Sequence, residues 1–153
     1  MKALKLPAYE FQYRKNAAGK TEIFDPIRKQ FYVLQPEEWV RQNFIQYLIR
    51  EKNYPGGLMA VEKGLNLNGM KKRADIVQYN KSGQAALIVE CKAPEVKITQ
   101  ETFDQAARYN MSLRVKYLII TNGLEHYACA VDFENARVRF LKEIPDFDTI
   151  NNE

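Results

Sequence analysis

Histidine and cysteine are nearly absent: the 153 residues include one histidine, His126, and two cysteines, Cys91 and Cys129. A histidine-rich zinc site is thereby excluded, and a Ser-His or Cys-His mechanism would rest wholly on one imidazole in a strand-like stretch, where a structural role is expected. No CxxC pair occurs, and both cysteines sit inside apolar runs, as buried thiols in a reducing compartment do. Neither GxxxxGK[ST] nor GxGxxG is present, so no ATP-driven motor or dinucleotide site is encoded, and no nucleotide cofactor is expected. No apolar run approaches the roughly 18 residues of a membrane span, and the N-terminus lacks the apolar centre of a secretion signal. The expected location is the cytoplasm, without membrane contact.

Gly/Ser-rich tracts and internal repeats are also missing. The apolar fraction is 46% and the charged fraction 27%, the balance of a soluble globular chain, and the length suits one domain with its own core. Net charge is +4 and the pI about 9.0, which favours a polyanionic partner without demanding one. Lys71, Lys72 and Arg73 form one basic run, and Arg108, Arg114 and Lys116 another. An ordinary solvated surface is the competing reading of both.

Periodicity and turn residues divide the chain. Residues 1–35 hold short β-like clusters around Asn16 to Gly19 and Asp25-Pro26, an N-terminal extension packed on the domain. Pro36-Glu37-Glu38 opens a helix whose Val40, Phe44, Tyr47 and Leu48 recur on one face until Asn53 to Gly57 ends it. Strands are expected from Leu58 to Leu67, from Lys72 to about Asn80 and from Gln84 to Lys92, with Asn68-Gly69 and Ser82-Gly83 as two-residue turns. On the first strand Glu62 is expected to face solvent. Thr99 caps a second helix running to about Leu113, and Val115 to Thr121 is a strand buried on both faces. Glu125 to Val131 and Arg137 to Leu141 close the sheet. The order αβββαβ with extra strands predicts an α/β (α+β) fold, a central mixed sheet flanked by helices, over 36–145, with 146–153 as a C-terminal tail.

The chemistry concentrates between Lys72 and Pro94, KRADIVQYNKSGQAALIVECKAP. With Ser82-Gly83 at the centre of the turn, Lys81 faces Gln84 and Asp75 lies opposite Glu90. Alternation then sets Lys92 on the face of Glu90 and turns Cys91 away. Opposed carboxylates repel unless positive charge lies between them, which Lys92 and a divalent ion would supply. Asp75 and Glu90 are hard oxygen donors suited to Mg²⁺, and the Cys91 carbonyl could join them.

These residues, Asp75 and then Glu90-Cys91-Lys92 at the end of an apolar strand, resemble the catalytic signature of the PD-(D/E)XK nuclease superfamily and its restriction-endonuclease-like core. With Glu37 to Gln42, Lys72 to Val77, Val89 to Pro94, Gln105 to Asn110 and Thr121 to Gly123, they resemble more narrowly the N-terminal nuclease domain of the type I restriction enzyme motor (R) subunit, from about Asp25 to about Leu141. The resemblance implies an endonuclease that hydrolyses DNA phosphodiesters with Mg²⁺, Mn²⁺ substituting. Its ligands are Asp75, Glu90 and the Cys91 carbonyl, Lys92 is the catalytic cation, and Glu38 is an auxiliary acid from the first helix. Without the resemblance, Glu37 and Glu38 only favour a helix start. Gln105 and Tyr109, four apart on one helical face, are implied to position nucleic acid or the site, with Lys72 and Arg73 beside it. In that family a helicase-type translocase follows, so the expectation is a domain acting alone, as a homodimer, or with restriction-system subunits in trans. The alternative is a non-catalytic DNA-binding or assembly module on the same scaffold.

Overall fold

The computed structural model describes residues 1–152. Strands β1 (Tyr13–Lys15), β2 (Thr21–Asp25) and β3 (Gln30–Val33) form a small antiparallel meander that precedes α1 (Pro36–Glu51). After a single 3₁₀ turn, β4 (Met59–Leu67), β5 (Met70–Tyr79) and β6 (Ala85–Cys91) run antiparallel. Helix α2 (Gln100–Leu113) crosses over to β7 (Tyr117–Thr121), which pairs in parallel with β6. Strands β8 (His126–Asp132) and β9 (Arg137–Phe140) extend the sheet in the order β4-β5-β6-β7-β8-β9. This is the mixed sheet that the sequence pattern predicts. Among the described residues no helix is long and apolar enough to cross a membrane.

The helices cover opposite faces. Val40, Phe44, Ile45 and Leu48 of α1 pack against Ile76, Val89 and Ile119, whereas Phe103 and Ala107 of α2 meet Leu118, Ile120 and Cys129. Successive β7 residues thus feed two cores, which is why that strand is apolar throughout. Helix α2 starts where Thr99 accepts from the Thr102 N–H, and ends with Arg114 in the left-handed conformation. Its buried Asn110 donates to the carbonyls of Val115 and Tyr117, fixing the helix end to β7.

The β5–β6 turn corrects the two-residue reading. Asn80, not Lys81, faces Gln84: its N–H donates to the Gln84 carbonyl, and its carboxamide oxygen accepts from the Ser82 and Gln84 N–H groups. Only Gly83 has positive φ there, whereas a type I′ turn needs two such residues, as Asn68 and Gly69 supply in the β4–β5 turn. The three-residue loop moves the register by one. The ladder passes from Tyr79↔Ala85 to Gln78↔Leu87, so Ala86 is bulged and the shift is undone. From Gln78 to Ile76 the pairing is the one expected, heading toward Asp75 opposite Glu90.

A second irregularity prevents that pair from sharing a face. In the β4–β5 ladder Val61 pairs with Ile76 and Lys63 with Ala74, but Glu62 (φ 54°) and Asp75 between them are unpaired. Ile76 packs beneath α1 while Ala74 packs on the α2 side, although strict alternation would put both on one face. Each strand therefore presents two consecutive residues to α1.

The chain ends are tied in. Leu4 and Leu6 pack on the α1 core, the Lys5 N–H donates to the Gly123 carbonyl, and the Trp39 indole donates to the Lys2 carbonyl. Beyond residue 145 the expected tail forms a short helix, α3 (Phe147–Asn151), with Phe147 and Ile150 buried in the same core. Replacing Asn110 by Ala removes both hydrogen bonds that tie the helix end to β7 and is expected to lower stability by about 1–3 kcal/mol. Urea unfolding of the two proteins measures this directly.

Candidate functional site

The α1 side of the site is built around one guanidinium. Arg41 is 6% exposed, so its charge must be met by protein groups. One terminal nitrogen donates to Glu38 at 2.7 Å, and the other lies 2.6 Å from Glu62, 2.9 Å from Asp75 and 3.2 Å from Glu37. Glu37 and Glu38 reach it through helical i, i+4 and i, i+3 spacing, and Glu62 and Asp75 through the paired irregularity in β4 and β5. Arg28 chelates Glu38 at 2.8 and 2.9 Å and bonds Asp25 at 2.6 Å, which links the N-terminal meander to the same cluster. Arg73 closes it on Glu62 at 2.7 Å.

Five carboxylates thus meet three guanidiniums. Burial alone would lower the pKa of Arg41, but the hydrogen bond to Asp75 and the charges of Glu38 and Asp75 raise it well above its usual value. Burial opposes the ionised form of Glu62 as well, yet Arg73 and Arg41 together bring its carboxyl below the ordinary range. Glu37 goes the other way: burial and then the charge of Asp75 push its carboxyl up.

Glu90 lies on the α2 side. Its neighbours Val89 and Cys91 belong to the core under α1, so alternation turns Glu90 toward α2. There the Lys72 ammonium is 3.4 Å away, itself 4.3 Å from the centroid of the Tyr109 ring, and the Lys92 ammonium is 3.7 Å away. Lys92 thus shares the face of Glu90, as alternation requires. Tyr109 and Gln105 line an open cleft of about 430 Å³ with Met70, Glu101, Arg108 and Ser112. The link between the two sides is the backbone of β6, where the Cys91 N–H donates to the Asp75 carboxylate at 2.8 Å.

Each expected site residue therefore has a place, but not always the expected one. Asp75 and Glu90 sit on adjoining strands, yet their carboxylates are engaged on opposite faces, one by Arg41 and one by two lysines. Held on opposite faces by Arg41 and by two lysines, Asp75 and Glu90 as they stand do not share one Mg²⁺. Cys91 is fully buried, which pushes its thiol well up and keeps the sulfur out of the chemistry. Glu38 is enclosed by Arg28, Arg41 and Gln42. Its neighbour Glu37 is the half-exposed acid beside Asp75. Glu62 joins the acidic cluster instead of facing solvent, because its positive-φ backbone turns it inward. His126 bridges Thr121 and the Lys5 carbonyl and packs on Phe44, a structural role.

Arg41 was the residue hardest to anticipate. Its signal was the Glu37-Glu38-x-x-Arg41 spacing on a helix whose next turn, Phe44-Ile45, is buried. Arg28 lay in a segment without visible chemistry. Since the fold penalises the ionised form of Glu37, Glu37→Gln is expected to raise the melting temperature at pH 7. The gain should shrink as pH falls through the carboxyl range, because the raised pKa lets wild-type Glu37 take up a proton there; thermal melts from about pH 7 down to about pH 4 test it.

No relative among curated proteins matches the chain. Among solved structures, a chain described as a fragment of an HsdR subunit of a type I restriction enzyme from Vibrio vulnificus YJ016 superposes with a TM-score of 0.55 at 18% identity. The match covers 77% of this chain and 25% of that one, so the present chain spans about a quarter of that relative and shares its fold. Residues 36–145 match the family model described as Type I restriction enzyme R protein N terminus (HSDR_N). That match takes in α1, the six-stranded sheet and α2, and the chain belongs to the type I restriction enzyme R protein N-terminal family.

Proposed function

We propose that the chain is a DNA endonuclease domain of the R-subunit N-terminal type, hydrolysing phosphodiesters with Asp75, Glu90 and Lys92. The observation that carries the reading is the 2.8 Å bond from the Cys91 N–H to Asp75, which holds the acid of β5 against the Glu90-Cys91-Lys92 strand end. Phosphodiester hydrolysis needs positive charge on the non-bridging oxygens, an oriented water, and help for the leaving oxygen. Lys92, a compact ammonium with a third of its side chain exposed, is suited to neutralise the phosphate or orient the water. Lys72 holds Glu90 and stacks its charge on Tyr109, which lines the α2 cleft with Gln105.

Mg²⁺ is the ion that the family resemblance implies. Asp75 and Glu90 do not form its donor set in the present arrangement. Ion binding between them would require Asp75 to leave Arg41 and Glu90 to leave Lys72 and Lys92, because the two carboxylates are held on opposite faces. The cluster's excess of two negative charges over its guanidiniums favours the first of these moves.

The same hold on Asp75 favours a second reading, a DNA-binding or assembly module that keeps the scaffold without turnover. Restriction subunits acting in trans, or a second copy, belong to either reading. Plasmid nicking in Mg²⁺ or Mn²⁺ separates the two. The endonuclease reading expects metal-dependent nicks from the wild type and none from Asp75→Ala or Lys92→Ala, whereas binding without nicks in all three supports the module. Calorimetry with Mn²⁺ adds an independent check: Glu90→Gln is expected to weaken ion binding about tenfold or more, as loss of a charged ligand does, and equal binding counts against Glu90 as a ligand.

A further inference from the structure

Strand β5 pairs with β6 only from Ile76 to Tyr79, but with β4 along nearly its whole length. Residues 63–74 therefore form a two-stranded ribbon, with Lys63↔Ala74 at its root and Leu67↔Met70 at its tip, closed by Asn68-Gly69. Its sequence, KGLNLNGMKKRA, carries Lys63, Lys71, Lys72 and Arg73 and no acid. In a chain with 19 acidic residues against 23 Lys and Arg, a run with four of one sign and none of the other is a local field.

The two faces of the ribbon differ. Leu65, Leu67 and Met70 pack toward Leu113 and Val115, Lys72 lies over Tyr109, and the Asn68 carboxamide donates to the Leu113 carbonyl. This face is seated on the end of α2, so the ribbon is supported along its length. On the other face Asn66, Lys71 and Arg73 are exposed, and Gly64, paired with Arg73, leaves open space above the backbone. Lys63 is exposed as well, from the face of its partner Ala74 on the edge strand, so it and Lys71 leave the ribbon on opposite faces, and neither has a carboxylate partner among the described residues. At the root, Arg73 bonds Glu62, which with Asp75 contacts Arg41.

We propose that this ribbon is a duplex-DNA docking element that enters the major groove with Lys63 and Lys71 on the flanking phosphates, a refinement that rests on the DNA-acting reading above. The major groove, about 12 Å wide, admits a two-stranded ribbon, whereas the minor groove, about 6 Å wide, must first be widened to take one. Five residues per strand span about 16 Å, long enough to cross the groove. Because the ribbon is backed by α2, its docking costs little ordering entropy. Its root then brings the duplex to Asp75 and the Glu90-Cys91-Lys92 strand end.

The test uses the full chain in EDTA and fluorescence anisotropy with a labelled duplex, so cutting does not enter. Lys63→Glu and Lys71→Glu together are expected to weaken duplex binding about tenfold or more and to lower the slope of log affinity against log salt by about one per lysine. Lys20→Glu, the same charge change in the distant β1–β2 turn, is expected to leave both unchanged. Glucosylated hydroxymethylcytosine, which fills the major groove, is expected to block binding, and netropsin in the minor groove is not. Wild-type affinity in the double variant, displacement by netropsin without an effect of glucosylation, or equal loss with Lys20→Glu overturns the proposal. Nicking lost from a chain that still binds through the ribbon sinks only the endonuclease reading; nicking kept by ribbon variants that bind as the wild type sinks only the ribbon.

Discussion

The buried guanidinium of Arg41 is the interaction on which the site depends. A charge with 6% exposure is tolerated only where its partners are complete, and Arg41 collects four carboxylates from α1, β4 and β5. Together with the Cys91 N–H it decides where Asp75 points. Through Glu38 and Arg28 the same hub reaches Asp25, so the small N-terminal meander is tied to the site by paired charges. Removing Arg41 would leave the carboxylates of Glu38 and Asp75 without their shared partner in a poorly hydrated place.

The backbone is shaped to serve that hub. A pleated strand presents alternate residues to one face, and four carboxylates could not converge from two regular strands and a helix. The unpaired step at Glu62 and Asp75 breaks alternation in both strands at once and turns both acids toward α1. Past that step β5 no longer pairs with β6, so the same irregularity marks the root of the basic ribbon. Site and ribbon are two consequences of one local break in the ladder, which is why acid and base lie so close in sequence between Lys71 and Asp75.

Most of the fold was legible because its signals are local and redundant. Pro36 with two acids, the Thr99 cap, Asn68-Gly69 and the unbroken apolar run of β7 each specify an element without knowledge of the others. Sharing of a face by Glu90 and Lys92 followed from period two alone. What stayed hidden required compensating or non-local events. The extra loop residue at Lys81 to Gly83 and the bulge at Ala86 cancel, so the register was right although the turn was not. The step at Glu62 has no composition signal, since a glutamate at positive φ is held there by tertiary contacts with Arg41 and Arg73. Between Glu37 and Glu38 the sequence held no preference of its own; the distinction arises from Arg28, in the β2–β3 turn of the N-terminal meander.

Family membership and fold fix the scaffold, and the physical account adds how its charges are arranged. One acid is held by an arginine on one face and the other by two lysines on the opposite face, and the Arg41–Asp75 contact joins α1 to β5. A double-mutant cycle measures that contact most directly: Arg41→Met, Asp75→Asn and the pair, each unfolded in urea. The account predicts a coupling of about 1 kcal/mol or more. Additive effects, within about 0.5 kcal/mol, would contradict it and leave the position of Asp75 to be set by the strand alone.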